Sequence, residues 1–190
     1  MRPFIIGLAT IGSLALPDLG AAPPPRPDPA TLTKVVDGVE RVDALRSTLA
    51  TTFEGTGQPP TQQTFEQVCK PVGMEFQRLG RENGWTVRQV SHKNRNPKHA
   101  IPADVAAMYA LLQKDAALQG AWGRGTFEGQ RGYLYVRRVE VETSCLACHG
   151  AKDARPEFVK ANYPDDKAYD FAPGDLRGAY VVFVPEGTAK

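Results

Sequence analysis

Apolar residues recur at helical spacing over two stretches in the first half of the chain. The first stretch, residues 32–53, repeats with a period near 3.6 residues and predicts an amphipathic helix of about six turns. Glycines and prolines over residues 55–60 interrupt the pattern. The second stretch, residues 65–79, predicts another helix, and Pro71 inside it predicts a kink because proline cannot donate the helical hydrogen bond.

The second half of the chain has the pattern of an antiparallel sheet that follows these helices. One more helix is expected from Pro102, with apolar positions at Val105, Met108, Leu111 and Leu112. Strand-like runs occupy residues 85–90, 121–128, 132–141 and 179–184. Because helices come first and antiparallel strands dominate later, the pattern predicts an α+β fold.

The N-terminus has the pattern of an export signal. A positive start at Arg2 is followed by an uncharged, mostly apolar stretch over residues 4–16 and by small residues at 20–22. We therefore predict a signal peptide over residues 1–22 and a periplasmic location. A short membrane anchor is the alternative, although the apolar stretch is too short to span a bilayer as a helix.

The rest of the chain has the composition of one globular domain. A proline-rich spacer is predicted over residues 23–30, and the domain over residues 31–190, with no membrane span in the mature form. Hydrophobic residues make up 42% of the 190 positions and charged residues 23%, which excludes a wholly disordered chain. The formal net charge is only +2, which argues against nucleic-acid binding as the main task.

The segment that carries chemistry is Cys145-Leu146-Ala147-Cys148-His149, which has the C-x-x-C-H form of a c-type haem attachment site. Two thiols at this spacing can add to the two vinyl groups of one porphyrin. The next residue then lies beneath the metal, where an imidazole nitrogen of His149 can bind iron. Because the chain has a single such motif, we predict one covalently bound haem c, and Gly150 lets the chain turn away from it.

Three other interpretations of this segment remain open. The cysteines could form a disulfide as in thioredoxin-like proteins, but such a pair should open a helix within a βαβ pattern, which is not visible. They could bind zinc together with Cys69 or another histidine, but the usual second half of a zinc motif is missing. The match could also arise by chance. Export favours haem, because bacteria attach c-type haem outside the cytoplasm.

Five side chains could bind the iron opposite His149. Cys69 lies on the apolar face of the second predicted helix and reads equally as a small buried hydrophobe and as a thiolate ligand. Met74 and Met108 read more simply as core filler. His92 and His99 lie in a basic loop, where solvated side chains are expected.

Three charged positions remain to be interpreted. Arg95 lies in the same basic loop and could hold the haem propionates, because a guanidinium matches a carboxylate with two hydrogen bonds. Asp165 and Asp166 are interpreted as a solvated turn.

Several segments together resemble a known family. They are Cys69 and residues 91–98, 145–150, 163–165 and 174–179. In this order they resemble the family of c-type haem proteins with a PAS-like fold, a domain-of-unknown-function family. Its members include a cyanobacterial haem protein and sensing segments of bacterial signalling proteins. The resemblance covers about residues 31–184, and it departs from the family pattern at Asp170-Phe171, where Gly-Tyr is expected.

The resemblance implies a PAS-like antiparallel sheet with long N-terminal helices. It also implies axial ligation of the iron by His149 and Cys69, which makes Cys69 the preferred second ligand. A thiolate donates electron density to iron, so a low reduction potential is expected.

The expected function is that of a periplasmic redox or haem sensor, or an electron-transfer protein, rather than an enzyme. Its partner would be a redox or signalling protein whose identity the sequence leaves unknown. Two alternatives stay open: a simple electron shuttle with His/Met ligation, and a haem peroxidase-like enzyme.

Overall fold

The structure, a computed structural model, describes residues 27–52, 54 and 58–187. The predicted signal peptide, most of the predicted spacer, Phe53 and residues 55–57 lie outside the described residues. The first helix already begins at Pro29, so the last two positions of the predicted spacer are helical.

Two long helices form the N-terminal half, as the sequence predicts. Helix α1 spans Pro29–Thr51, and the Asp28 side chain caps it by accepting a hydrogen bond from the Thr31 amide at 2.9 Å. Helix α2 spans Gln62–Asn83 and remains α-helical through Pro71. It ends because Gly84 adopts a left-handed conformation with φ 67°.

Four antiparallel strands form the sheet. Strand β1 spans Thr86–Val90, β2 spans Gly120–Phe127, β3 spans Gln130–Glu140 and β4 spans Leu176–Pro185. Their order across the sheet is β1-β4-β3-β2, so the last strand of the chain lies inside the sheet. The α+β fold predicted from the sequence is confirmed.

Strand β4 is apolar on both faces because each face packs against a different layer. Tyr180, Val182 and Val184 are buried against α1 and α2. The alternate residues pack on the opposite face; they are Ala179, Val181 and Phe183. This two-residue alternation gives the sheet two hydrophobic cores, one on each side.

Helix α3, Ala103–Lys114, covers the second face of the sheet. The helix begins one residue later than predicted, because Pro102 is its N-cap rather than its first position. Met108 packs against the core as expected. The predicted stripe is wrong at Leu111, which is 49% exposed, because Tyr109 and Leu112 turn toward the sheet instead.

Short elements connect β3 to β4. Helix α4 spans Leu146–His149 and follows a 3-10 turn at Thr143–Cys145, and helix α5 spans Glu157–Asn162. A small apolar cluster of Val141, Ala168 and Phe171 lies beneath them. Within the described part of the chain, no helix is long and apolar enough to cross a membrane.

Candidate functional site

A cavity of about 220 Å³ lies where β1 and β3 end and β4 begins. One wall is the segment around α4, with Cys145, Cys148 and His149. A second wall is α2, which contributes Cys69 and apolar side chains. The cavity continues into a surface groove along α2, and both Cys69 and His149 border the two spaces.

The C-x-x-C-H segment folds as a 3-10 turn followed by the single helical turn α4. This compact path brings both thiols and the imidazole to the same wall. Gly150 closes the turn by donating its amide to the Leu146 carbonyl at 2.9 Å. A Cβ atom at position 150 would lie 2.7 Å from that carbonyl oxygen, so the tight turn requires glycine.

The hydrogen bonds of His149 fix its tautomer. Its Nδ1 lies 2.8 Å from the carbonyl oxygen of Ala168. Because a carbonyl can only accept, this shorter contact assigns the proton to Nδ1, and Nε2 then accepts from Nε of Arg177 at 3.4 Å and keeps the lone pair that a metal needs. Nη2 of Arg95, 3.3 Å from Nδ1, makes no hydrogen bond to the ring in this tautomer. Burial, followed by Arg177 and Arg95, holds the pKa of His149 well below its usual value, so the ring is neutral.

Asp166 is the residue that organises this wall. Its carboxylate accepts hydrogen bonds from the Ala168 amide at 2.9 Å and from Arg155 at 3.0 Å, and it pairs with Arg95 at 3.3 Å. Its side chain is 0% exposed. The prediction of a solvated turn is therefore wrong at Asp166 and correct at Asp165, which is exposed.

Arg95 borders the cavity, but its guanidinium already has protein partners. Nη2 donates to the Cys148 carbonyl at 2.8 Å, and Nε faces Asp166. These contacts join the basic loop to the C-x-x-C-H segment. Arg95 thus supports the backbone that carries His149.

Cys69 faces the cavity from α2. It is solvent-accessible there, in contrast to its buried helix neighbours Val72 and Phe76, so it does not pack as a small core residue. Neighbouring atoms still remove part of the hydration of the thiol, and this desolvation raises the pKa of Cys69, while Arg95 and Arg177 oppose the shift. Burial likewise raises the pKa of Cys148 to about 11.

The other candidate iron ligands differ in how exposed they are and in whether they border the cavity or the groove. Met74 is 62% exposed at the groove, so its interpretation as core filler is wrong. His92 is exposed, but its Nδ1 lies 2.9 Å from the Tyr109 hydroxyl. His99 is half-buried and borders the cavity, which contradicts the expectation of a solvated side chain.

The sequence argument missed the role of Arg177. It lies at the start of β4, where its Nε is 3.4 Å from Nε2 of His149. Burial, followed by the charge of Arg95, lowers its pKa to about 10. The one sequence signal that could have pointed to Arg177 was its place in Gly-Asp-Leu-Arg-Gly-Ala, one of the segments that resemble the family.

The structure also shows what Asp170-Phe171 does, where the sequence departs from the family pattern. Asp170 has φ 54°, in the left-handed region where glycine is favoured. Its carboxylate accepts the Lys152 amide at 3.1 Å, and its own amide donates to the Gly150 carbonyl at 2.7 Å. Phe171 packs edge-on to the His149 ring, with centroids 6.2 Å apart. This loop therefore supports the C-x-x-C-H segment.

The geometry bears on the disulfide and the zinc interpretations of the cysteines. All three are free thiols, and the sheet is antiparallel rather than part of a βαβ unit. Among residues 27–52, 54 and 58–187, no three His, Cys, Asp or Glu side chains lie close enough to hold a metal ion by themselves. A zinc site would require such a group.

The class that fits this architecture is that of the haem proteins with a PAS-like fold. Its features here are the long N-terminal helices, the antiparallel sheet and the wall with Cys145, Cys148 and His149. The chain belongs to the Tll0287-like family, which it matches over residues 30–185. It is similar to the crystal structure of the cyanobacterial haem protein Tll0287, with 44% identity and a TM-score of 0.74. The match covers 84% of this chain and 98% of that chain. No curated protein matches. The predicted family and the PAS-like fold are thus confirmed.

Proposed function

We propose that this chain binds one haem c covalently in the cavity and serves as a redox or haem-sensing protein. The observation that carries the proposal is the lining of a single cavity by Cys145, Cys148, His149 and Cys69. The similarity to a cyanobacterial haem protein supports the choice of cofactor.

The residues present fit such a group. Cys145 and Cys148 would form the thioether bonds, and His149 presents a neutral imidazole with its lone pair at Nε2. Cys69 would bind from the α2 side. Ser144 and Tyr180 line the cavity, and their hydroxyls are buried without a hydrogen-bond partner among the described residues. Unpaired buried hydroxyls beside a cavity are expected where a bound ligand completes the site.

When bound, the haem supplies one-electron chemistry. The chain's own residues then determine how that chemistry is used. If His149 and Cys69 both held the iron, no position would remain for a substrate, which favours a redox or sensing role over a peroxidase-like one. A thiolate ligand also favours a low reduction potential.

Location and partners are part of the same proposal. The charged, apolar and small residues over 1–22 support export to the periplasm, where c-type haem is attached. The partner would be a redox or signalling protein. A simple electron shuttle with His/Met ligation is the runner-up, because the exposed Met74 borders the groove next to Cys69.

Expression of the full chain in a host that attaches c-type haem tests the cofactor. We expect a coloured protein whose mass exceeds that of the polypeptide by one haem and survives denaturation. The double variant Cys145→Ala/Cys148→Ala should lose the covalent mass increase. A colourless wild-type protein, or haem that is removed by acidified organic solvent, would refute the proposal.

Cys69→Ser tests the second ligand. The variant should keep its covalent haem but lose the thiolate features of the optical and paramagnetic resonance spectra, and its midpoint potential should rise. Val68→Ala, at a neighbouring apolar position of the same wall, is the control and should keep the wild-type spectrum. A methionine-type near-infrared band in the wild type would instead favour the His/Met shuttle.

A further inference from the structure

Three arginines border the cavity, and they differ in what neutralises them. Arg46 pairs with Asp43 at 2.7 Å and with Glu142 at 2.8 Å. Arg95 pairs with Asp166. Arg177 forms no ion pair among the residues that the structure describes, although it is half-buried at the cavity.

The contacts of Arg177 leave part of its guanidinium free. Nη1 donates to the Ser91 hydroxyl at 3.1 Å and lies 3.4 Å from the Lys93 carbonyl. Nε faces Nε2 of His149 at 3.4 Å, and the guanidinium lies 5.5 Å from the centre of the Phe171 ring. Nη2 has no hydrogen-bond partner within the described residues.

The backbone is arranged to aim this side chain. Val139 pairs with Gly178 and Glu140 with Leu176, so Arg177 is the extra residue of a β-bulge. Bulges re-aim a side chain at the edge of a sheet and are common beside binding sites. The bulge carbonyl is satisfied by the Ser91 hydroxyl at 2.7 Å.

Positive charges also outnumber negative charges around this wall, which favours binding of an anion. Arg95, Arg155 and Arg177 carry three positive charges around this wall, and Asp166 is the one carboxylate that pairs with any of them among the described residues. A buried cation without a partner is costly, because the low-dielectric interior does not replace its hydration. A ligand that brings carboxylates would offset this cost.

We propose that Arg177 is the residue that binds a propionate carboxylate of the haem. The inference rests on the proposed haem function and assigns the cofactor's acidic edge to the β4 bulge rather than to Arg95. A guanidinium can hold a carboxylate with two hydrogen bonds, and the free Nη2 supplies donors for it. Because Nε2 of His149 must be vacant to bind iron, Arg177 exchanges its contact with that nitrogen for the carboxylate.

Resonance Raman spectroscopy of the haem-loaded full chain tests the assignment, because the propionate bending band moves to lower frequency when a hydrogen-bond donor is lost. We expect this shift in Arg177→Leu and in Arg177→Gln, compared at equal covalent haem content. The midpoint potential should fall in both, since a nearby positive charge is removed. Arg137→Gln is the matched control: Arg137 is also half-buried but pairs with Glu40 and Asp43, and the band should not move.

Other outcomes would overturn the assignment. A propionate band unchanged in both Arg177 variants, or one that shifts in Arg95→Gln but not in Arg177→Gln, would place the propionate elsewhere while leaving haem binding intact. If Arg177→Leu fails to accumulate, Arg177→Gln decides alone. Wild-type protein without haem would instead refute the proposed function, which keeps the two failures distinguishable.

Discussion

The two walls of the cavity are built in opposite ways. The wall of His149 is held by polar contacts: Ala168 fixes the imidazole, Asp166 fixes the Ala168 amide, and Arg95 holds the Cys148 carbonyl. The wall of Cys69 is one side of helix α2, whose neighbours toward the cavity are mainly apolar.

This difference predicts that substitutions on the two walls have different effects. The polar wall should determine whether the site forms at all, because removing one member leaves buried groups unpaired. The α2 wall should mainly tune the bound group, because a helix keeps its shape when one exposed side chain changes. Substitutions on the two walls therefore test whether the walls differ in this way.

The largest effect is expected from Asp166→Asn. It removes the negative charge shared by Arg95 and Arg155, and breaking a buried ion pair in this way costs about 3–5 kcal/mol. Urea unfolding followed by circular dichroism should show this loss, together with a reduced yield of attached haem. Asp165→Asn, at the exposed neighbour, should stay within about 0.5 kcal/mol of wild type. Equal stabilities for the two variants would contradict the role given to Asp166.

An intermediate effect is expected from Gly150→Ala. The new Cβ would meet the Leu146 carbonyl at 2.7 Å, and overpacking of this kind costs about 1–3 kcal/mol. Gly73→Ala on α2 is the control from the other wall. It has open space around it, and alanine favours helices, so it should stabilise the chain by about 0.5–1 kcal/mol. Thermal unfolding would show the opposite signs, and a destabilised Gly73→Ala would remove the contrast.

The smallest effect is expected from Met74→Gln. The side chain is 62% exposed, so the free energy of unfolding should change by less than about 0.5 kcal/mol. The optical and near-infrared spectra of the haem-loaded protein should also stay as in wild type. A spectral change would mean that Met74, rather than Cys69, reaches the iron.

The elements of the fold could be predicted because their signals are local. The apolar run over β4 and the helical period over α1 lie within short windows of sequence. The exposed Leu111 escaped prediction, because Tyr109 and Leu112 place α3 on the sheet by packing that the period alone does not specify.

The site could be predicted from the sequence only where its residues lie within a few positions of one another. Cys145, Cys148 and His149 share one short motif, so their joint placement follows from the chain itself. Asp166 and Arg95 are 71 positions apart, and their pairing left no local signal. His99 looked solvated for the same reason, since a polar loop shows its burial only after it folds over the cavity.

The helix-then-strand order, the family and the C-x-x-C-H motif could all be predicted before folding is considered, because each signal lies within short segments of the chain. The folded chain was needed to show that Asp166 is buried, that Cys69 and His149 line one cavity, and that Arg177 has no carboxylate partner among the described residues. The physical reason is that burial and charge pairing depend on groups far apart in the chain, which only the folded backbone brings within a few ångströms of one another.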